Sequence, residues 1–174
     1  MTSRGSRRRF SKFAAITLIM VACMLGVVRP TRADPMSDAQ AAYARGDFVT
    51  AARRLARLAS AGHAHAQGLL GFMYEHGQGV PQDFVVAATW YTRAAEQGDP
   101  AAQYWLGLMY DKGRGVPQDA VLAHKWLILA AARASRHERD AYTRLRDAVA
   151  TKMSNGQIEL AQSLASEWTQ NRER

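Results

Sequence analysis

The chain has 174 residues, 48% of them hydrophobic, and a formal charge of +8, the make-up of one globular domain or a short repeat array. Residues 1–33 hold seven of the 23 basic residues (Arg4, Arg7, Arg8, Arg9, Lys12, Arg29 and Arg32) and no acidic one, which leaves 16 basic against 15 acidic and removes the basic footprint that nucleic-acid binding needs. No interior run reaches the ~20 apolar residues of a membrane span, and the only cysteine, Cys23, excludes disulfide and thiol chemistry from residues 34–174.

Residues 1–33 read as a secretory signal peptide. Arg4 to Lys12 is the basic n-region and Ala14 to Val28 the apolar h-region. Thr31-Arg32-Ala33 sets small residues where a signal peptidase reads, so cleavage is expected after Ala33 and the mature chain is periplasmic or secreted. An uncleaved anchor is the alternative. Ser6-Arg7-Arg8-Arg9-Phe10-Ser11-Lys12 resembles the twin-arginine export motif, departing from it where Ser11 stands for the usual leucine; the general route competes with it. Met20-Val21-Ala22-Cys23 is a poor lipoprotein site, because apolar residues continue after the cysteine.

Ala39, Ala42 and Tyr43 start a helix that Arg45-Gly46-Asp47 ends. Phe48 to Ser60 follows, with Ala52, Leu55, Ala56 and Ala59 on one face. A longer unit then appears twice at an offset of 36 residues. Ala66-Gln67, Leu70-Gly71, Met73-Tyr74, Gly77-x-Gly79-Val80-Pro81-Gln82-Asp83, Trp90 and Ala94-Ala95 return as Ala102-Gln103, Leu106-Gly107, Met109-Tyr110, Gly113-x-Gly115-Val116-Pro117-Gln118-Asp119, Trp126 and Ala130-Ala131. A fixed period of this size marks a solenoid. In each unit the spacing predicts a first helix with Ala66, Leu70, Met73 and Tyr74 inward, a sharp glycine turn, and a second helix capped by Asp83 or Asp119. The opening unit keeps the register but has a loop five residues shorter. From Arg136 the signature is lost. Ala141, Leu145, Ala148 and Val149 form one stripe; Ser154 and Gln157 form a capping box; Ile158, Ala161, Leu164, Ala165 and Trp168 form a last apolar face. This segment reads as a hairpin cap on the open end of the stack. The organisation expected is residues 1–33 signal peptide, 34–135 repeat domain and 136–174 capping helices.

The Ala-Gln, Leu-Gly-x-Met-Tyr, Gly-x-Gly-Val-Pro-Gln-Asp, Trp and Ala-Ala positions resemble the Sel1-like repeat, a relative of the tetratricopeptide repeat with a longer inner loop. The resemblance runs over roughly Ala39 to Arg133. It implies an all-α, right-handed solenoid of about three helix-turn-helix units that binds proteins or peptides. Bacterial members are often exported adaptors or regulators. Some exported relatives are stapled by disulfides and linked to weak β-lactam binding or hydrolysis; this chain lacks the cysteines of that branch.

Candidate chemistry weighs against these readings. The Gly-x-Gly loops follow a helix, not a strand, which argues against a phosphate loop. His63 and His65, with Glu75 and His76 beyond them, raise a metal site. Residues two apart do not share a helix face, and Asp99 and Ala101 stand at the matching positions, so exposed histidines and no metal or other cofactor are expected. His124 matches Ala88 and is expected on a helix surface; Trp90 and Trp126 are expected in the core. No nucleophile, base and acid assemble from spacing, so an enzyme is not expected. Leu69, Phe72 and His76 follow i, i+3, i+7 beside the packing face, and Trp105, Leu108 and Lys112 are their equivalents. First helices line the inner curve of such solenoids, so these six make a candidate apolar groove with basic edges for a protein or peptide partner in the cell envelope. The competing reading packs Phe72 and Trp105 between repeats. The expected function is an exported adaptor, scaffold or regulator. An envelope hydrolase acting on a cell-wall or β-lactam substrate is the alternative, and self-association through the concave face a third reading.

Overall fold

Residues 34–174 are described by a computed structural model, and every regular element among them is a helix. The signal-peptide features, from the Arg4–Lys12 n-region through Cys23 to cleavage after Ala33, lie outside the described residues. The helices are α1 (Pro35–Ala44), α2 (Phe48–Ser60), α3 (Ala64–His76), α4 (Phe84–Glu96), α5 (Pro100–Lys112), α6 (Ala120–Arg133), α7 (Arg139–Ala150) and α8 (Asn155–Glu173). They pair as hairpins α1–α2, α3–α4 and α5–α6, and α2 packs on α3 and α4 on α5, so each unit leans on the next. This is the α-solenoid of three units that the period implies.

Aspartates start the helices. Asp47, Asp83, Asp99 and Asp119 each accept a hydrogen bond from a backbone N–H of the first turn, at 2.8–3.2 Å, an arrangement worth about 1 kcal/mol per helix. Ser154 and Gln157 close a full capping box on α8. The core is made of the repeated small and medium side chains: Ala66 and Ala102, Leu70 and Leu106, Met73 and Met109, Ala87 and Ala123 are all buried. Gly71 and Gly107 let the two helices of a hairpin close up. A Cβ on Gly71 would sit 2.9 Å from the Tyr91 ring, and one on Gly107 2.8 Å from Leu127 Cγ.

The two glycines of each loop do different work. Gly77 and Gly113 take left-handed backbone angles (φ +66° and +63°) and end the first helix, their N–H groups bonding Met73 O and Met109 O. Gly79 and Gly115 lie against the preceding unit: a Cβ there would overlap the backbone carbonyls of Phe48 and Phe84, the first residues of α2 and α4. Glutamines complete the joints. Gln67 and Gln103, both buried, donate to Ala59 O and Ala95 O at 3.0 and 3.1 Å, tying each first helix to the end of the helix before it. Gln82 and Gln118 donate to Glu75 O and Asp111 O at 2.8 Å, folding the loop onto the helix it follows.

Two expectations need correction. The last two helices are not a hairpin: α7 and α8 each pack on α6 rather than on one another. Trp168 of α8 meets Trp126 edge to face at 6.2 Å, with the guanidinium groups of Arg133 and Arg172 over its ring, and Arg172 donates to Glu96 O at the end of α4. His124 is buried, only 4% exposed, as is Ala88 at 3%. The α6 face that carries His124 is covered by α7, and desolvation there pulls the His124 imidazole below the ordinary histidine value.

Gly113→Ala is expected to lose about 1–2 kcal/mol, the cost of a left-handed alanine. Gly115→Ala adds a backbone overlap, typically worth a further 1–3 kcal/mol or so. Urea unfolding of the two variants side by side measures the difference; equal losses would contradict the inter-unit contact.

Candidate protein-binding groove

Two hollows open between neighbouring first helices. The larger, about 250 Å³, lies between α1 and α3 and is lined by Ala39, Gln40, Tyr43, Leu55, Leu69, Phe72 and Met73. The smaller, about 70 Å³, lies between α3 and α5 and is lined by His65, Gly68, Leu69, Phe72, Asp99, Ala101, Ala102 and Trp105. Leu69 and Phe72 line both, so one apolar ridge divides a continuous furrow. The α1 side is roomier for a sequence reason. With its loop five residues shorter, Tyr43 aligns with Tyr74, and Ala39 then stands where α3 has Leu70.

An aromatic row runs along the same side. His76 stacks on Phe72 at 4.0 Å and its Nδ1–H donates to Phe72 O at 2.9 Å; Phe72 meets Trp105 edge to face at 6.0 Å. Trp105 meets Tyr104 at 5.2 Å, and Tyr104 stacks on Tyr142 of α7 at 4.4 Å. Offset and edge-to-face ring pairs each contribute about 0.5–1.5 kcal/mol beyond burial. Phe72 and Trp105 are half-buried and also pack against the core of the second and third units. Packing between repeats and facing the furrow are therefore combined in the same two side chains.

Of the six candidate residues, Leu69, Phe72, His76 and Trp105 are brought together. Leu108 is half-buried and lines neither hollow; Lys112 is exposed, its ammonium 3.0 Å from Asp111 Oδ2. Tyr43, Tyr104 and Tyr142 lie outside that six-residue stripe. The alignment of Tyr43 with Tyr74 is a legible signal for the first. Nothing in the period marks Tyr104 and Tyr142, because the tyrosine pair joins a repeat to a segment that has left the register.

The histidine cluster behaves as a joint. His65 Nδ1 lies 3.6 Å from Asp99 Oδ2 at the mouth of the smaller hollow, tying α3 to the capping residue of α5. That carboxylate draws the imidazole above the ordinary value of 6.5, against the opposing effect of burial. Among the described residues no three His, Cys, Asp or Glu side chains converge as a metal cluster. The buried carboxylates are engaged within the fold. Glu75 accepts from Tyr91 Oη at 2.9 Å, and Arg114 stands 3.8 Å away. Leu127 stands at the position matching Tyr91, so Asp111 has no tyrosine partner there; its carboxylate takes Lys112 at 3.0 Å and Lys152 at 2.9 Å instead. Burial raises the Asp111 pKa, but the hydrogen bonds from Lys152 and Lys112 outweigh it and hold the group below the ordinary carboxylate value.

The fold is that of a helical repeat protein, an α-solenoid. The chain belongs to the Sel1-repeat family: the Sel1 repeat matches residues 64–99 and 100–135. A Sel1 repeat protein from Oxalobacter formigenes is similar at 35% identity and a TM-score of 0.56, the match covering 76% of this chain and 98% of that one. The crystal structure of c5321, a protective antigen present in uropathogenic Escherichia coli strains and displaying an SLR fold, is similar at 30% identity and a TM-score of 0.71 over 80% of this chain. This chain spans 30% of the length of that antigen. A search of curated proteins finds no match. Sel1 repeats are typically protein-interaction modules, and no described helix is long and apolar enough to cross a membrane.

Asp99→Asn keeps an oxygen to cap α5 and removes the charge beside His65. In proton NMR titration the His65 midpoint is expected to fall back toward 6.5. The sign for stability follows from a folded value above the unfolded one. The pair's contribution is complete below the unfolded value and is lost as pH rises through the folded midpoint, so the variant loses stability under mild acid and little in alkali. A His65 midpoint unmoved by the substitution would contradict the pairing.

Proposed function

We propose that this protein is an exported interaction module that holds a protein or peptide partner of the cell envelope in the furrow along its first helices, on the concave side of the solenoid. The observation that carries the reading is the shared Leu69–Phe72 ridge with a hollow on each side and Trp105 beyond it. Half-exposed aromatic anchors set in shallow apolar pockets are the usual core of a protein interface. A helix or extended segment can place side chains in both hollows.

The leader supports the export half of the proposal. Residues 1–33 carry a basic start, an apolar run and small residues before Asp34. Similarity to a protein described as a protective antigen agrees with a place that antibodies reach. The module works by shape and apolar complementarity, and its role is that of an adaptor, scaffold or regulator rather than an enzyme.

Affinity purification after cross-linking in intact cells tests this, with Trp105→Ala as the control. Wild type is expected to retain a stoichiometric protein that the variant loses, while circular dichroism of the variant keeps the helical signal. The same proteins recovered with both, or none with either, would sink the groove and bring purified-protein assays on cell-wall and β-lactam substrates forward.

A further inference from the structure

We infer that α7 is a proton-released cover: protonation of His124, buried beneath it on α6, frees α7 from the end of the stack. The His124 Nδ1 is buried with no hydrogen-bond partner. A neutral imidazole tolerates this as one unused nitrogen. The imidazolium carries an N–H on both nitrogens and a full charge, and a buried charge is costly unless it is paired and hydrogen-bonded. Among the described residues no carboxylate makes an ion pair with the ring. From α7, Arg146 opposes its protonation and Asp147 favours it, and these two are joined to each other at 2.7 Å. On α5, Tyr104 and Tyr110 border the same apolar cluster with neutral phenols, and Asp111 is held by Lys112 and Lys152. On α8, Glu167 acts on Lys125 of α6, and Arg172 lies over Trp168. The proton is served best by opening the cover to water.

The cover is lightly held. Of the twelve residues of α7, Tyr142 and Val149 are the buried ones. Polar ties flank it: Lys152 to Asp111 just beyond its end, and Arg139 to Ala134 O at its start. Trp168 docks α8 on α6 separately, against Trp126. Release of α7 uncovers Ala123 and Leu127, both fully buried, and takes Tyr142 off Tyr104 at the end of the aromatic row.

The sign and the pH window follow from a folded value below the ordinary 6.5. Closure is strongest above 6.5 and is lost as pH falls from there toward the folded midpoint. Other groups do not imitate this. The His65–Asp99 pair strengthens in acid, and the proton on exposed His137 favours the neighbouring Glu138 carboxylate. Asp111 and Glu138 both lie below their ordinary carboxylate values and keep their charge through this window.

Native-state hydrogen exchange of the purified protein at pH 7.0 and 5.5, corrected for the pH dependence of intrinsic exchange, tests the inference. Protection in α7 is expected to fall about five- to tenfold in acid, while α3 and α4 lose none. His124→Leu removes the titrating ring, and His124→Ala installs the residue that stands at the matching position, Ala88. Either variant is expected to keep α7 protection the same at both pH values. Proton NMR titration of the wild type gives a reading that needs no variant: the His124 midpoint is expected below 6.5. A midpoint at or above 6.5, or α7 equally protected at both pH values, overturns the inference. So does an acid loss that survives in both variants, which assigns it to another group, or one shared by every helix, which makes it global unfolding.

Discussion

The stack depends on one close approach. The second glycine of each inner loop, Gly79 or Gly115, lies directly on the carbonyl that opens the preceding unit's second helix, leaving no room for a β-carbon. Backbone against backbone is a contact with little give, because no side chain can rotate out of the way. It fixes the distance from one unit to the next, and the first helices follow. Their spacing leaves the furrow between α1, α3 and α5. A stack of three units has few such joints, and each carries a large share of the order.

Polar joints around this contact vary where the backbone contact does not. Glutamine at 67 and 103 makes the same bond to the helix before it, yet Gln67 also accepts from Gln97 at 2.7 Å while Gln103 Oε1 is left without a protein partner. Arg133 stands at the position matching Gln97, and its guanidinium lies over Trp168. The third unit thus forgoes one hydrogen bond where the last helix docks. Glu75 and Asp111 tell a similar story. A tyrosine from within the unit satisfies the first, and a lysine from beyond α7 satisfies the second. For Asp111, the terminal segment thus supplies a partner that the second unit finds within itself.

Much of the fold was legible because the sequence repeats its own instructions. The 36-residue offset, the aspartate caps at 83 and 119 and the small-residue core all follow from side-chain size and hydrogen-bonding chemistry. What escaped was relational. The Gly-x-Gly pair reads as one flexible turn, although its second glycine answers to Phe48 or Phe84 some thirty residues earlier. His124 looked superficial because its equivalent, Ala88, says nothing about polarity, and α7 covers it without sharing the repeat pattern. The direction of α8 could not be read from its apolar face, since Trp168 fits a hairpin or a dock on α6 equally well. In the groove, the first-helix stripe gave Leu69, Phe72, His76 and Trp105. The contribution of α1 is hidden by its shortened loop, and the six-residue pattern places Leu108 and Lys112 by analogy more than by contact.

The furrow has its lining and its scaffold in the same residues: Phe72 and Trp105 pack between adjacent repeats and also face it. The central claim, that a backbone joint between units sets the furrow, is tested most directly by native-state hydrogen exchange on wild type and Gly115→Ala. The account predicts that the substitution lowers protection in α4, whose first residue the loop abuts, as well as in α5 and α6. Loss confined to the substituted loop and α6, with α4 as protected as in wild type, would contradict it.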